Sequence, residues 1–340
     1  MKEVHVEFPH LSNLPPTLAD SVQGTPDRRP GSVRRSSTID MGWPDGFGTP
    51  LQLLGRARDL LTPREGDPSV VDEASIRVRL DDSRTVRSIE TTPQRRGVRD
   101  LIGAAGGAEL RGAIDRALPG ERESATPLHL LLDDIAGTSL IAGFAWSRSR
   151  PDARRRMRRG PPDFGKRKGR IICSGLRPDG WADTHRRHDK EFLPAIVPAG
   201  NIRTPDDPLG WHAFPPDPEV GMRRHRRIDV WRRDDVLVVD AFFRDVCWDP
   251  DGSQHALHEY TVSAEVQPSD HTLVSVLATP RVLPYPECKW AAPHAGQLEG
   301  MPVSRFRTSV QTSLTELQAC THLNDMLRCL AEVPALAARL

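Results

Sequence analysis

Residues 34–41 read RRSSTIDM and residues 223–230 read RRHRRIDV, so two octapeptides with the same order of basic, apolar and acidic positions lie 189 positions apart. Five further short matches follow in the same order, at offsets of 186 to 196 positions. They pair residues 58–59 with 244–245, 72–74 with 258–260, 92–93 with 279–280, 110–114 with 306–310, and 134–135 with 325–326. A collinear series of this kind predicts an internal duplication.

The hydrophobic pattern predicts strands before helices in both regions. In the first region, residues 74–80 alternate as a half-buried strand with a hairpin partner at 84–91, and helical segments follow; residues 51–61 fit a strand or a helix. In the second, an antiparallel meander precedes three helices. Its strands are expected at 228–231, 236–246, 257–266 and 273–282, and its helices at 290–298, 303–314 and 320–331. We therefore predict an α+β fold made of two duplicated copies of a small antiparallel sheet followed by helices.

Proline and arginine content suggests the domain boundaries. We predict a disordered tail at 1–33, a degenerate α+β copy at 34–146, a linker rich in arginine and proline at 147–222, and a second copy at 223–334. A sheet of three or four strands needs a partner for its edge or its second face. The two copies are therefore expected to pack together as a pseudo-dimer.

Composition narrows the range of partners and compartments. The chain contains 47 Lys and Arg residues and 46 Asp and Glu residues, so its charge is nearly balanced. A chain with this balance has no large positive potential to attract nucleic acid, and nucleic acid is not an expected partner. The odd count of five cysteines indicates free thiols in a reducing cytosol. Since no signal-peptide or transmembrane run is evident, a cytoplasmic protein with no membrane partner is predicted.

Four residues of the second copy form the predicted site. His258 lies on a strand, Cys288 follows the last strand, and Cys320 and His322 lie at the start of the last helix. Two thiolates and two imidazoles are a familiar tetrahedral zinc set, so we predict a divalent metal, with Glu259 and Asp325 orienting the histidines. The matching positions in the first copy are Asp72, His129 and Leu131, with no cysteine.

Two other functions fit the same residues. Cys320 at a helix N-terminus is expected to have a lowered thiol pKa, and with His258 as base it would act as the nucleophile of a thiol enzyme. Alternatively, the cysteines only pack in the core of a non-catalytic binding or assembly module. No ligand pair has the short Cys-x-x-Cys spacing that identifies a zinc ribbon, so substrate, reaction and metal identity stay open.

The second copy resembles an uncharacterised bacterial family, a domain of unknown function of actinobacterial type. The segments that carry the resemblance are residues 226–231, 258–260, 280–288 and 320–325, and the resemblance extends upstream through 206–212 and 35–43. The C-terminal half is also distantly similar to iron–sulfur scaffolds of the IscU/NifU type, which implies ligands at His258, Cys288 and Cys320. Because the first of these is His and the spacings differ, the resemblance favours a mononuclear metal over an iron–sulfur cluster.

Overall fold

A large antiparallel sheet dominates the computed structural model, which describes residues 18–149, 166–167, 170–187, 194–218 and 220–340. Eight long strands run side by side in the order β4-β3-β2-β1-β8-β9-β10-β11. They are β1 Ser32–Gly42, β2 Leu51–Thr62, β3 Ser69–Leu80, β4 Val86–Thr92, β8 Gly221–Arg233, β9 Val236–Trp248, β10 Gln254–Val266 and β11 Leu273–Val282. The short β7 (Val197–Pro198) pairs with β10, while β5 (Lys166–Arg167) and β6 (Arg170–Ile171) form a separate ribbon.

The sheet consists of two four-stranded meanders that meet at its centre. Strands β1–β4 form one and β8–β11 the other, and β1 pairs antiparallel with β8 so that Ser37 lies opposite Arg226. A mixed fold with an antiparallel sheet followed by helices confirms the predicted class in outline. The duplication itself stays a prediction.

Helices follow each meander along the chain. The eight α-helices of the described residues are α1 Ala108–Ala117, α2 Pro119–Glu123, α3 Pro127–Ile141, α4 Gly143–Ser149, α5 Trp181–Arg187, α6 Phe306–Ser313, α7 Thr321–Arg328 and α8 Val333–Ala337. In the same described ranges, six segments are 3-10 helices instead, at Arg96–Leu101, Ser174–Leu176, Pro286–Leu298, Val303–Arg305, Glu316–Gln318 and Cys329–Glu332. The predicted helix at 290–298 falls within one of these tighter segments.

Helix α3 is the central helix of the first half. Thr126 caps it by accepting the His129 N–H at 3.1 Å, and Pro127 occupies its first position. The run Pro127–Arg148 has the length and composition of a membrane span, which the sequence reading did not anticipate. Since 83% of its most apolar window is buried inside the structure, it fits the core helix of a soluble protein.

Two hydrophobic cores lie between the sheet and the helices. Leu53, Val78 and Leu131 belong to the core of the first half, and Phe243 and Leu327 to the core of the second. Each core forms because alternate strand residues point toward the helical layer, which removes them from water.

Residues 18–31 and 194–218 lie against the sheet, although they were predicted as tail and linker. Val22 donates its N–H to Glu259 at 2.6 Å, and Trp211 donates its indole N–H to Thr25 at 2.8 Å. Glu259 is fully buried and also pairs with Arg244 at 2.8 Å. The free lone pairs and N–H groups of a buried ion pair need hydrogen-bond partners, and these two segments supply such partners. Residues 1–17 and 150–165 lie outside the described residues.

Buried ion pairs cross the junction of the two meanders. Arg34 on β1 donates to Asp229 on β8 at 2.6 Å, and Arg223 on β8 donates to Asp40 on β1. All four side chains are largely buried, so the charges on the two strands hold each other in register.

Candidate metal site

One group of side chains in the described part of the chain brings three potential ligand atoms within 4.8 Å of one another: Asp245, His258 and His322. Asp245 lies on β9 directly opposite His258 on β10, where a register shift interrupts the pairing. His322 is the second residue of α7, which packs on β10. The two predicted histidines are therefore brought together, with a carboxylate that was not predicted as their partner.

The two imidazole rings are stacked. Their centroids are 3.4 Å apart, with 19° between their planes. The Nδ1 atom of His258 lies 3.2 Å from the Oδ2 atom of Asp245. An ionised carboxylate can only accept, so this contact requires the tautomer with the proton on Nδ1, and it leaves the Nε2 lone pair of His258 available.

Arg224 fixes the Asp245 carboxylate from the opposite side. Its Nε and Nη2 atoms donate to the two carboxylate oxygens at 2.8 and 3.1 Å. Burial alone would raise the pKa of Asp245, but the Arg224 charge and the hydrogen bond from His258 outweigh burial and hold the pKa well below its usual range. Asp245 is therefore ionised at neutral pH.

Both histidines are neutral because burial, the largest effect on each of them, lowers the pKa. Burial lowers the pKa of His258, although the hydrogen bond and charge of Asp245 oppose it. Burial and the neighbouring His258 hold the pKa of His322 well below its ordinary value. Two neutral imidazoles and an ionised carboxylate are the protonation states that metal ligation requires.

The predicted ligands Cys288 and Cys320 do not belong to this group of three. Both are buried. Burial, and after it any negative charge on Cys320 or Cys173, raises the pKa of Cys288 and of the buried Tyr260. Ser174 donates its N–H to the Ala319 carbonyl at 2.9 Å, which docks the Cys173 segment beside Cys320.

Sequence reasoning missed Cys173 and Asp245. The run Ile-Ile-Cys-Ser-Gly at 171–175 interrupts a proline-rich region and was a usable signal for an ordered segment. A Cβ at Gly175 would lie 2.3 Å from the Cys288 sulfur, so the close approach of this segment requires glycine. Asp245 belongs to the internal match 244–245. Its position opposite His258 depends on the register of β9 and β10, which the sequence does not give.

The predicted lowering of the Cys320 thiol pKa is wrong in direction. Cys320 precedes the first residue of α7, and the backbone N–H groups of Leu323 and His322 favour its thiolate. Burial is the larger effect and raises its pKa. Burial likewise raises the pKa of Cys173, to about 12. The thiols of Cys173, Cys288 and Cys320 are therefore protonated at neutral pH, whereas a cysteine nucleophile needs the thiolate.

The acceptors predicted for the histidines serve other groups. Glu259 binds Arg244, and Asp325 accepts from Arg111 at 2.7 Å and approaches Arg224 at 3.7 Å. Asp245 alone of these carboxylates contacts His258 among the described residues.

Residues 222–336 match the model of a family described as a protein of unknown function, DUF2889. The matched segment begins in β8 and ends in α8, and it contains Asp245, both histidines, Cys288 and Cys320 but not Cys173. It supports the predicted resemblance to a family of unknown function; the actinobacterial type and the similarity to IscU/NifU scaffolds stay predictions. No match was found among curated proteins or among solved structures.

Proposed function

We propose that the C-terminal half binds a divalent metal ion, with zinc as the first candidate, through His258 and His322 and with Asp245 as their charged partner. The observation that supports this is the approach of three ligand atoms to within 4.8 Å of one another. Ligands at about 2.0–2.2 Å from one zinc ion lie somewhat closer together than this, so small side-chain movements complete the site.

The stacked rings define the movement that binding requires. A nitrogen lone pair lies in its ring plane, so two parallel rings direct their lone pairs side by side rather than toward one point. His258 is held by Asp245 and is 5% exposed, whereas His322 is less buried. Rotation of the His322 ring is therefore the step that would let both histidines share one ion, while Asp245 keeps His258 oriented.

Cys288 and Cys320 are the proposed donors for the remaining positions. Burial keeps these thiols protonated, but a coordinating metal ion displaces the thiol proton. Sulfur ligation requires the thiols to move toward the histidines, since no cysteine of the described residues lies in the group of three. A mononuclear ion needs fewer such movements than an iron–sulfur cluster held by cysteines.

Metal content of the purified full chain tests the proposal. We expect a stoichiometric divalent metal after purification without chelator, and its loss in His258→Ala and His322→Ala. His294→Ala changes a histidine outside the site and is the matched control. Equal metal content in the wild type and in both site variants would contradict the proposal.

Cobalt substitution separates nitrogen from sulfur ligation. Thiolate ligands give charge-transfer absorption to Co²⁺ that histidine and carboxylate ligands do not give. We expect this absorption to weaken in Cys288→Ser and Cys320→Ser and to persist in Cys247→Ser, a buried thiol that donates to the His255 carbonyl instead. Cobalt that binds without this absorption would leave the histidines as ligands and exclude the cysteines.

A non-catalytic binding module is the second candidate. Arg224 already neutralises Asp245, and Gly175 packs closely on Cys288, so the same residues also satisfy one another as a core without metal. This candidate takes precedence when the wild-type chain retains no metal. The raised thiol pKa values place the thiol enzyme behind both.

We further propose that the chain arose by duplication and that its halves pack as a pseudo-dimer. Arg34 and Arg223 are 189 positions apart, as are Asp40 and Asp229, and each arginine pairs with the aspartate of the other half. The partner of Asp245 across its strand pair is His258, and the partner of Asp59 is Asp72. The first half would then retain the pairing of Asp59 with the residue opposite it, but that residue is Asp72 where the second half has His258.

A reducing compartment suits the side chains, and we propose the cytoplasm. All five cysteines are free and buried. Disulfide formation among Cys173, Cys288 and Cys320 would remove the proposed sulfur donors.

A further inference from the structure

A polar cavity of about 220 Å³ lies between α1, α2, α3, α6 and α7, outside the metal site. Its charged wall contains Arg111, Arg122, Arg307 and Arg328, with Asp115 and Asp133 as the acidic members. Pockets for drug-sized ligands are commonly about 300–1,000 Å³, so the occupant of this cavity must be small.

One carboxylate serves three of the arginines. Asp133 accepts from Arg307 at 3.0 Å and from Arg328 at 2.8 Å, and it lies 3.3 Å from the Nε atom of Arg111. Arg122 pairs with Asp115 at the mouth, where their side chains are 37% and 38% exposed. The lining itself carries four arginines and two aspartates, and just outside it Asp325 pairs with Arg111 and Glu332 pairs with Arg307.

His129 supplies a second, independent indication of a ligand. It lines the cavity, is 2% exposed, and its Nδ1 atom has no hydrogen-bond partner among the described residues. Burial and the charge of Arg307 lower its pKa to about 3, so the ring is neutral. A buried polar atom without a hydrogen bond is destabilising, and a bound group that hydrogen-bonds to it would remove this cost.

We propose that this cavity binds a phosphate-class oxyanion, either free or as the end of a small phosphomonoester. Guanidinium groups match tetrahedral oxyanions with paired, charge-assisted hydrogen bonds. Neutral His129 with its proton on Nδ1 donates one further bond without adding charge. Both halves of the chain supply the wall, so the anion links α1 and α3 to α6 and α7.

Calorimetric titration of the full chain with inorganic phosphate, at ionic strength held constant with chloride, tests the proposal. We expect saturable binding at one site per chain and a higher Tm in phosphate. Gln311→Glu places a negative charge on an exposed wall residue without changing the arginines, and it should weaken binding at least tenfold. Arg111→Gln should weaken binding similarly. Arg116→Gln, exposed on the same helix α1, is the control that should leave binding unchanged.

Four outcomes would overturn the proposal. They are no saturable binding at millimolar phosphate, an equal Tm increase with chloride, equal weakening by Arg116→Gln and Gln311→Glu, and loss of phosphate binding in His258→Ala, which would assign the phosphate to a metal ion instead. Methyl phosphate distinguishes the two sources: its binding supports a phosphomonoester end, and its exclusion supports the free anion. His258→Ala should leave phosphate binding unchanged, because His258 does not line the cavity.

Discussion

Asp229 shows how strongly this fold depends on single buried charges. Its carboxylate accepts from Arg34 across β1·β8 and from Arg227 on its own strand, and both arginines are at most 3% exposed. In Asp229→Asn, two guanidinium groups would lose their shared counter-charge in the protein interior. Removing one member of a buried ion pair commonly costs about 3–5 kcal/mol. Because Arg227 keeps Asp240 at 2.7 Å and Arg34 keeps Asp207 at 3.8 Å, we expect the free energy of unfolding to fall by an amount at the lower end of that range.

Urea unfolding at pH 7 measures this change. Asp82→Asn, at an exposed turn with no ion pair among the described residues, is the control and should stay within about 0.5 kcal/mol of the wild type. A loss of less than 1 kcal/mol in Asp229→Asn would show that Asp240 and Asp207 suffice to neutralise the two arginines.

His212 makes stability depend on pH. Its Nδ1 and Nε2 atoms lie 3.0 and 2.9 Å from the hydroxyls of Ser36 and Thr38. Burial, with the charge of Arg58 next in importance, lowers its pKa from 6.5 to about 3. Below pH 6.5 the unfolded chain takes up a proton that the folded chain refuses until about pH 3. Stability should therefore fall on acidification, by up to about 1.4 kcal/mol per pH unit.

Unfolding curves at pH 7, 6 and 5 compare the wild type with His212→Gln. Glutamine retains hydrogen-bonding groups but does not titrate, so its stability should fall less steeply with acid. Parallel slopes for the two proteins would mean that other groups cause the pH dependence.

The candidate site was predictable only in part from its residues. His258 and His322 lie on a strand and at a helix start, where sequence patterns locate side chains well, and the structure stacks them. The pairing of Asp245 with His258 depends on a register shift, and Cys173 reaches Cys320 from 147 positions away through a loop. Neither event leaves a local periodic signal.

At the scale of elements, alternation predicted the outer strands better than the central ones. Ile76, Val78 and Leu80 on β3 are buried, as their spacing indicates. The central strands β1 and β8 are buried at nearly every position although they are rich in arginine and serine. Their burial is possible because carboxylates on neighbouring elements pair with the arginines, a tertiary condition that no window of sequence contains.

Helix α3 contains a glycine, Gly137, whose presence the neighbouring charges explain. A Cβ there would lie 2.6 Å from Nη1 of Arg224 and 2.7 Å from Oδ2 of Asp325. Alanine is favoured in a helix interior by about 1 kcal/mol, but both contacting groups are held in ion pairs and cannot withdraw freely. We expect Gly137→Ala to lower the free energy of unfolding by about 1–3 kcal/mol.

Thermal unfolding compares Gly137→Ala with Gly143→Ala. A Cβ at Gly143, in α4, meets no atom within 4 Å, so the control should be neutral or stabilising. A Tm increase in Gly137→Ala would show that the ion pairs rearrange at little cost.

At the scale of the whole molecule, the halves complete each other. Asp134 on α3 binds Arg226 on β8 at 2.6 Å, and Glu332 near the C-terminus binds Arg35 on β1. Among the described residues, Asp134 pairs only with arginines of the second half, whereas Arg35 and Glu332 also have partners in their own halves, Asp59 and Arg307. The halves should therefore unfold as one cooperative unit.

The reciprocal pairs also predict how the C-terminal half behaves alone. Arg34 on β1 corresponds to Arg223 on β8, so a second β8 could replace β1 with Arg223 of each copy facing Asp229 of the other. Arg35 corresponds to Arg224, so Glu332 of one copy would meet Arg224 of the other. An unpaired central strand is a ready site for pairing with another chain. We therefore expect a fragment of residues 194–340 to form a two-fold dimer through β8.

Light scattering after size-exclusion chromatography measures the mass of this fragment. Asp229→Arg in the fragment would set like charges opposite each other and should abolish the dimer, whereas Asp251→Arg, at an exposed turn of the same half, should not. The intact chain should stay monomeric in this comparison, because its own β1 already occupies the edge of β8. A folded, monomeric fragment would show that β8 tolerates a free edge, and it would remove the main physical support for a pseudo-dimer that arose from two copies of one unit.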